Sequence, residues 1–153
     1  MDIIFDIDGT LLNIEHRVRY VKGNDYDQEK FETLIKNDIH IPEMVELFYM
    51  LAEKKNNRIL FCTGRREKTR KDTKFQIDVL TKDLITKNPL LKFPIYMRKN
   101  GDTRPDSKIK SDLYEQMLKD GYNPKIIFED RASVVQMWRE KGLRCLQCAP
   151  GNF

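Results

Sequence analysis

Five short apolar runs rich in β-forming residues recur along the chain: IIF at 3–5, RILFC at 58–62, FPIYM at 93–97, KIIFE at 125–129 and LRCLQC at 143–148. Between them the apolar positions return at helical spacing. Pro42 suits the first residue of a helix on which Met44, Val45, Leu47, Phe48 and Leu51 form a wide apolar face. Further helices are predicted over 67–85, 107–119 and 132–141, the last stopped by Gly142. Strands alternating with helices predict an α/β fold with a five-stranded, parallel, doubly wound sheet. The stretch 13–41 has weak periodicity and mixed charge, and is read as a small insertion after the first strand.

A chain of 153 residues, 40% of them hydrophobic, holds one packed domain more readily than two. No run approaches the roughly 20 apolar residues of a membrane span, and the start does not resemble a secretory signal. The expectation is a soluble, cytoplasmic protein with no membrane partner. Cys62, Cys145 and Cys148 are an odd number of thiols and suit a reducing compartment, and the CxxC at 145–148 lacks a second ligand pair. The net charge of +4 is uneven, with Arg65, Arg66, Lys68, Arg70, Lys71 and Lys74 close together. Such a cluster fits either a phosphate backbone or a solvated helix face.

In an open parallel sheet, ligands sit beyond the carboxyl ends of the strands, so the residues that follow each apolar run belong together. After the first run comes DIDGT, with Asp6 and Asp8; after the second, TGR, with Thr63, Gly64 and Arg65. After the third come Asp106 and Lys110, and the fourth ends in Glu129, Asp130 and Arg131. Two carboxylates two residues apart, followed by a glycine that permits a sharp turn, can supply a nucleophile and a proton donor. Further acids beside them would repel one another without a cation, which argues for Mg²⁺, an ion that prefers hard oxygen ligands. Thr63 and a lysine suit a phosphoryl group whose charge must be neutralised as it transfers. At about 100° per residue, Lys110 lies roughly 40° from Asp106 around a helix and Lys108 roughly 200° away, which favours Lys110. Taken singly, each piece also has a bland explanation as a turn or a solvated side chain. Together, in this order, they point to catalysis.

These residues resemble the four motifs of the haloacid dehalogenase (HAD) superfamily: DxDGT, a Thr or Ser after the second strand, a Lys, and a terminal acidic pair. More narrowly, GDTRPDSKIK at 101–110, EDRASVVQMWREKG at 129–142 and the ending APGNF are similar to the phosphatase domain of T-even bacteriophage polynucleotide kinase-phosphatases. No GxxxxGK[ST] phosphate loop occurs in the sequence, so the likeness is to the phosphatase part alone. The resemblance implies a HAD-type Rossmann-like fold without a large cap, and a polynucleotide 3′-phosphatase acting through an aspartyl-phosphate. It makes Asp6 the nucleophile and Asp8 the acid–base. It has Thr63 and Lys110 grip the phosphate, with Lys110 pinned by Asp106, and assigns the substrate to Arg17, rather than Arg19, together with Arg65 and Gly64. Mg²⁺ would be held by Asp6, the main-chain carbonyl of Asp8 and Asp130, with Glu129 binding directly or through water. The implied partners are DNA or RNA 3′ ends, with room for a separate kinase or ligase.

Two other readings stand beside this one. A small-molecule nucleotidase of the same superfamily would enclose its substrate, for which only the 13–41 insertion is available. A catalytically dead nucleic-acid platform would have lost one of Asp6, Asp8, Lys110 or Asp130, and all four are present.

Overall fold

The computed structural model describes residues 1–151, so the last two residues of the APGNF ending lie outside the described residues. The chain opens with β1 (Asp2–Phe5) and enters the insertion, which β2 (Leu12–Asn13) and β3 (Ile39–His40) close as a small antiparallel ribbon around α1 (Glu15–Val18) and α2 (Gln28–Thr33). It then alternates through α3 (Pro42–Ala52), β4 (Arg58–Arg66), α4 (Arg70–Lys87), β5 (Ile95–Arg98), α5 (Asp106–Lys119), β6 (Pro124–Arg131), α6 (Ala132–Glu140) and β7 (Arg144–Gly151). The five long-range strands form one parallel sheet in the order β5-β4-β1-β6-β7. The predicted architecture is therefore observed.

Alternation along β1 splits the core into two layers. Ile3 and Phe5 face one side, where Phe61 and Phe128 of the neighbouring strands meet Phe48 of α3 and Leu80 and Leu84 of α4. Phe5 stacks on Phe128 at 4.6 Å between ring centroids and meets Phe48 edge-on at 5.7 Å. Ile4 faces the other side with Leu60 and Ile127, against Met117 of α5 and Val134, Val135 and Trp138 of α6. Full burial of each such side chain stabilises the fold by about 1.5–3 kcal/mol. Cys145 belongs to the second layer and Cys148 packs against the first. The CxxC thiols thus sit on opposite faces of β7 and cannot chelate one ion between them.

The strands run past the apolar segments that announced them. β4 continues through Thr63, Gly64 and Arg65 to Arg66, which pairs with Arg98, and β6 continues to Arg131, which pairs with Gly151. The ladder is irregular between Thr63 and Arg66 and between Glu129 and Arg131. Bulges of this kind re-aim side chains at a sheet's end. Both fall at the carboxyl edge where the candidate residues gather. Among the described residues no helix is long and apolar enough to cross a membrane.

Candidate active site

Asp6 follows β1 directly, and its amide donates to the Phe128 carbonyl at 3.0 Å, which locks the chain to β6. Three residues later the chain turns at Gly9, whose φ is +82°. A Cβ at Gly9 would lie 2.2 Å from Asp130 Oδ2, so glycine is required by both the backbone and the close approach of that acid. From the end of β6 come Glu129 and Asp130, and from the second turn of α5 comes Lys110. The carboxylate oxygens of Asp6, Glu129 and Asp130 lie within 4.8 Å of one another, and all three residues are buried. Lys110 Nζ donates to Asp6 Oδ1 at 2.5 Å and to Glu129 Oε2 at 2.6 Å.

Burial, together with the Glu129 charge, pushes Asp6 up to about 7 in spite of Lys110. Burial and the Asp6 charge push Asp130 up to about 6. Glu129 is also raised, chiefly by burial. Burial works against the Lys110 ammonium, but Asp6 and Glu129 outweigh it and hold its pKa well above the ordinary lysine value. Three carboxylates against one ammonium leave a formal charge of −2. A divalent cation would cancel it, and three close carboxylate oxygens are the donor set that Mg²⁺ accepts. The residues therefore fit the ion that the sequence led us to expect.

The Asp8 carboxylate turns away from this trio toward two arginines. Arg65 Nη2 donates to Asp8 Oδ1 at 2.5 Å, and Arg17 Nη2 donates to the same oxygen at 2.8 Å. Behind them Asp38 accepts from Arg17 Nε at 2.6 Å and from Arg65 Nη2 at 2.7 Å. Two acids and two guanidinium groups make this cluster formally neutral. Thr73 and Gln76 of α4 accept from Arg65 Nη1, and the Phe31 ring lies 4.2 Å from the Arg17 guanidinium carbon. Burial alone would raise Asp8, but Arg65 and Arg17 override it and pull its pKa down to about 2. Arg17, not Arg19, is the arginine brought here; Arg19 instead packs on Tyr20 and donates to its hydroxyl at 2.7 Å.

One expected contact is replaced by another. Lys110 is not pinned by Asp106: that carboxylate takes Arg131 Nη1 at 2.8 Å and a second ion pair from Arg98. Side chains on a helix lean toward its N-terminus, so Lys110 reaches past Asp106 to the two buried acids, where an ammonium is worth more. Gly64 faces the same cleft, and its missing side chain makes room for Asp106, whose Oδ1 would lie 2.8 Å from a Cβ there. Thr63 is buried at the cleft floor and its hydroxyl accepts the Arg65 amide at 3.2 Å. Arg98 was not foreseen, although it stands at the carboxyl end of β5 where the sheet rule says to look. It donates to the carbonyls of Gly64 at 2.9 Å, Asp102 at 2.9 Å and Arg104 at 2.8 Å, and so ties the loop before α5 to the site. Asp38 was also missed, and nothing local in its sequence singles it out.

The acid trio, Lys110, Asp8, Thr63, Gly64 and Arg65 line one cleft of about 320 Å³, within the roughly 300–1,000 Å³ of small-ligand sites, whereas Arg17 and Asp38 are buried behind Asp8 and do not line it. The insertion supplies one of its walls through Ile14, Val21, Tyr26, Phe31 and Ile35. A family model for the polynucleotide kinase PNKP phosphatase domain, of HAD type, matches residues 1–153. The chain belongs to that family. It is thus a HAD phosphatase domain, with its acids at the sheet edge that the fold reserves for ligands. Two solved structures of the Pnkp1/Rnl/Hen1 complex, one described as an RNA repair complex, are similar to this phosphatase domain. The first is 24% identical with a TM-score of 0.73, covering 99% of this chain and 43% of its own. The second is 25% identical with a TM-score of 0.72, covering 99% and 47%. The chain therefore spans less than half the length of either. The haloacid dehalogenase-like hydrolase SP0104 from Streptococcus pneumoniae shares the fold at 15% identity and a TM-score of 0.59, covering 95% of this chain and 83% of its own.

Proposed function

We propose that this domain is a Mg²⁺-dependent polynucleotide 3′-phosphatase that works through a phosphorylated Asp6. The observation that carries the reading is the pairing of Asp6 with a buried Lys110 inside an acid trio, a cluster of formal charge −2. Asp6, Asp130 and Glu129, with the Asp8 main chain, would hold the ion. When bound there, Mg²⁺ would neutralise the trio and the phosphoryl oxygens and so keep Asp6 ionised for attack.

An Asp6 oxygen forms the bond to phosphorus as the bond to the sugar 3′-oxygen breaks, and Asp8 gives that oxygen its proton. Asp8 then takes a proton from the water that hydrolyses the aspartyl-phosphate and regenerates Asp6. With Arg65 and Arg17 on it, the resting Asp8 is ionised, as a base must be. For its acid step Asp8 must first take up a proton from solvent, which becomes favourable when an incoming phosphate dianion draws off some of that arginine charge. Arg17, buried behind Asp8, acts by holding that acid through its contact at 2.8 Å. Lys110 and Thr63 hold the phosphoryl group in line, and Asp106 and Arg98 fix the loop around it.

A nucleic acid end as substrate is supported by the family and by the repair complex among the similar structures. The same likeness supports a setting beside other repair proteins, a separate kinase or ligase among them. The test is phosphate release from 3′-phosphorylated oligonucleotides, 5′-phosphorylated oligonucleotides and mononucleotides, with and without Mg²⁺. We expect turnover of the 3′-phosphorylated strands only when Mg²⁺ is present. A preference for mononucleotides would instead make this a nucleotidase.

A further inference from the structure

The cleft has two unlike walls. Arg66, Arg98, Arg104 and Arg131 line the charged one, at the ends of β4, β5 and β6 and in the loop before α5. The insertion forms the other, which is largely apolar, with Gln28 and Glu32 as its polar members, and includes the aromatic ring of Tyr26. Tyr26 leaves 65% of its surface exposed although it lines the cleft.

The ring is not simply adrift at the surface. Its hydroxyl lies 3.3 Å from Gln28 Oε1, and Gln28 Nε2 donates to the buried Glu32 at 3.0 Å. Glu32 in turn pairs with Lys68 at 2.5 Å and Arg66 at 3.4 Å. A chain of polar contacts therefore ties the aromatic side of the cleft to the basic segment that follows β4.

A phosphoryl group alone would use the floor of this cleft and leave the apolar wall without a purpose. A nucleotide brings a flat base as well, and every base offers a π-face to an aromatic side chain whatever its identity. Seating the 3′-phosphate at Asp6 and Lys110 leaves the sugar and base to extend along the walls, while further backbone phosphates meet the arginines. From this juxtaposition we infer that Tyr26 is the stacking platform for the base of the terminal nucleotide, a specificity residue that makes the enzyme require a nucleoside without reading which one. The inference rests on the function proposed above.

The experiment compares the unaltered protein with Tyr26→Ala, Tyr26→Phe and Tyr26→Trp. Each meets three substrates: a 3′-phosphorylated oligonucleotide, the same strand with an abasic terminal residue, and a small aliphatic phosphomonoester. Tyr26→Ala should lower kcat/KM on the normal strand about 5- to 150-fold, chiefly through KM, the range that loss of one stacked base supplies. Phe and Trp should keep most of the activity. The abasic strand should be as poor for the unaltered protein as the normal strand is for Tyr26→Ala, with no further loss when both are combined. The aliphatic ester should not distinguish the variants. Equal losses on all three substrates would mean that Tyr26 only supports the insertion, and no loss on the normal strand would mean that the base lies elsewhere; either result overturns the inference. Failure of the unaltered protein to release phosphate from the normal strand would overturn the proposed function and this inference with it, a result distinct from turnover that ignores Tyr26.

Discussion

Lys110 shares its ammonium between Asp6 at 2.5 Å and Glu129 at 2.6 Å, so that one buried cation serves two buried acids. This arrangement makes Asp6→Asn a clean test of the nucleophile. The amide keeps nearly the same shape, and Lys110 keeps its contact with Glu129, so the fold should survive. Phosphate release should fall by at least about 10³-fold, as expected when a covalent nucleophile is lost. Steady-state turnover alongside a thermal melt checks both parts. Activity within tenfold of the unaltered protein would show that another group attacks phosphorus.

Asp8 can be separated from Asp6 by the leaving group. A sugar alkoxide needs a proton as it departs, and p-nitrophenolate does not. Asp8→Asn should therefore depress turnover of a 3′-phosphorylated strand much more than formation of the aspartyl-phosphate from p-nitrophenyl phosphate, read as a burst of p-nitrophenol. Equal losses in both would count against Asp8 as the acid.

Asp38 holds both arginines, accepting from Arg17 at 2.6 Å and from Arg65 at 2.7 Å. Its removal leaves two buried guanidinium groups with only Asp8 between them. Breaking a buried ion pair in this way costs about 3–5 kcal/mol. Asp38→Ala should lower the melting temperature and cut kcat/KM on any phosphomonoester, because Arg65 and Arg17 lose their aim. A variant with normal kinetics would show that Asp8 alone suffices to place them.

The sheet was legible because its strands are apolar where they cross the core, and Lys110 was legible because helical geometry fixes which side of α5 it shares with Asp106. What escaped lies where polar residues continue a strand or where contacts span distant segments. The run RILFC stops at Cys62, yet pairing carries β4 to Arg66, and an apolar criterion cannot see that continuation. Arg98 ends β5 in the same manner. Asp38 meets Arg17 and Arg65 across 21 and 27 residues, from a segment without periodicity, so no local pattern could announce it. The partner of Lys110 differs from expectation because two buried acids hold the ammonium, while Asp106 is already paired with Arg98 and Arg131.

The acid trio should make Mg²⁺ binding depend on pH. Asp6 and Asp130 rise to about 7 and about 6, above the ordinary carboxylate value, through burial and a neighbouring acid's charge, Glu129 for Asp6 and Asp6 for Asp130. Groups raised in this way favour the folded state while protonated, and that contribution is lost as pH climbs through 6 to 7. Mg²⁺ binds the ionised form, so it must displace protons below that window and meets free carboxylates above it. The rise in melting temperature on adding Mg²⁺ should therefore be small at pH 5 and large at pH 7.5. An equal rise at both, or none at pH 7.5, would sink the assignment of the trio as the metal site.

Asp2 offers the opposite sign at the other end of β1. Its carboxylate accepts Arg58 Nε and Nη2, each at 2.6 Å, and the Asn123 amide at 2.6 Å. Burial opposes the charge, but Arg58 and the amide prevail and hold Asp2 below its usual 3.8. A depressed carboxylate contributes stability above its unfolded value and loses it as pH falls through the folded one. Arg58 is more than half exposed, so screening trims the gain, and Asp2→Asn should cost about 1 kcal/mol at pH 7. The gap between the two proteins should close below about pH 4, while phosphatase activity stays unchanged because Asp2 is remote from the cleft. Denaturant melts from pH 7 down to about 2.5 measure this directly. A gap that holds constant across the range would mean that Asp2 acts by packing, and that its charge contributes nothing.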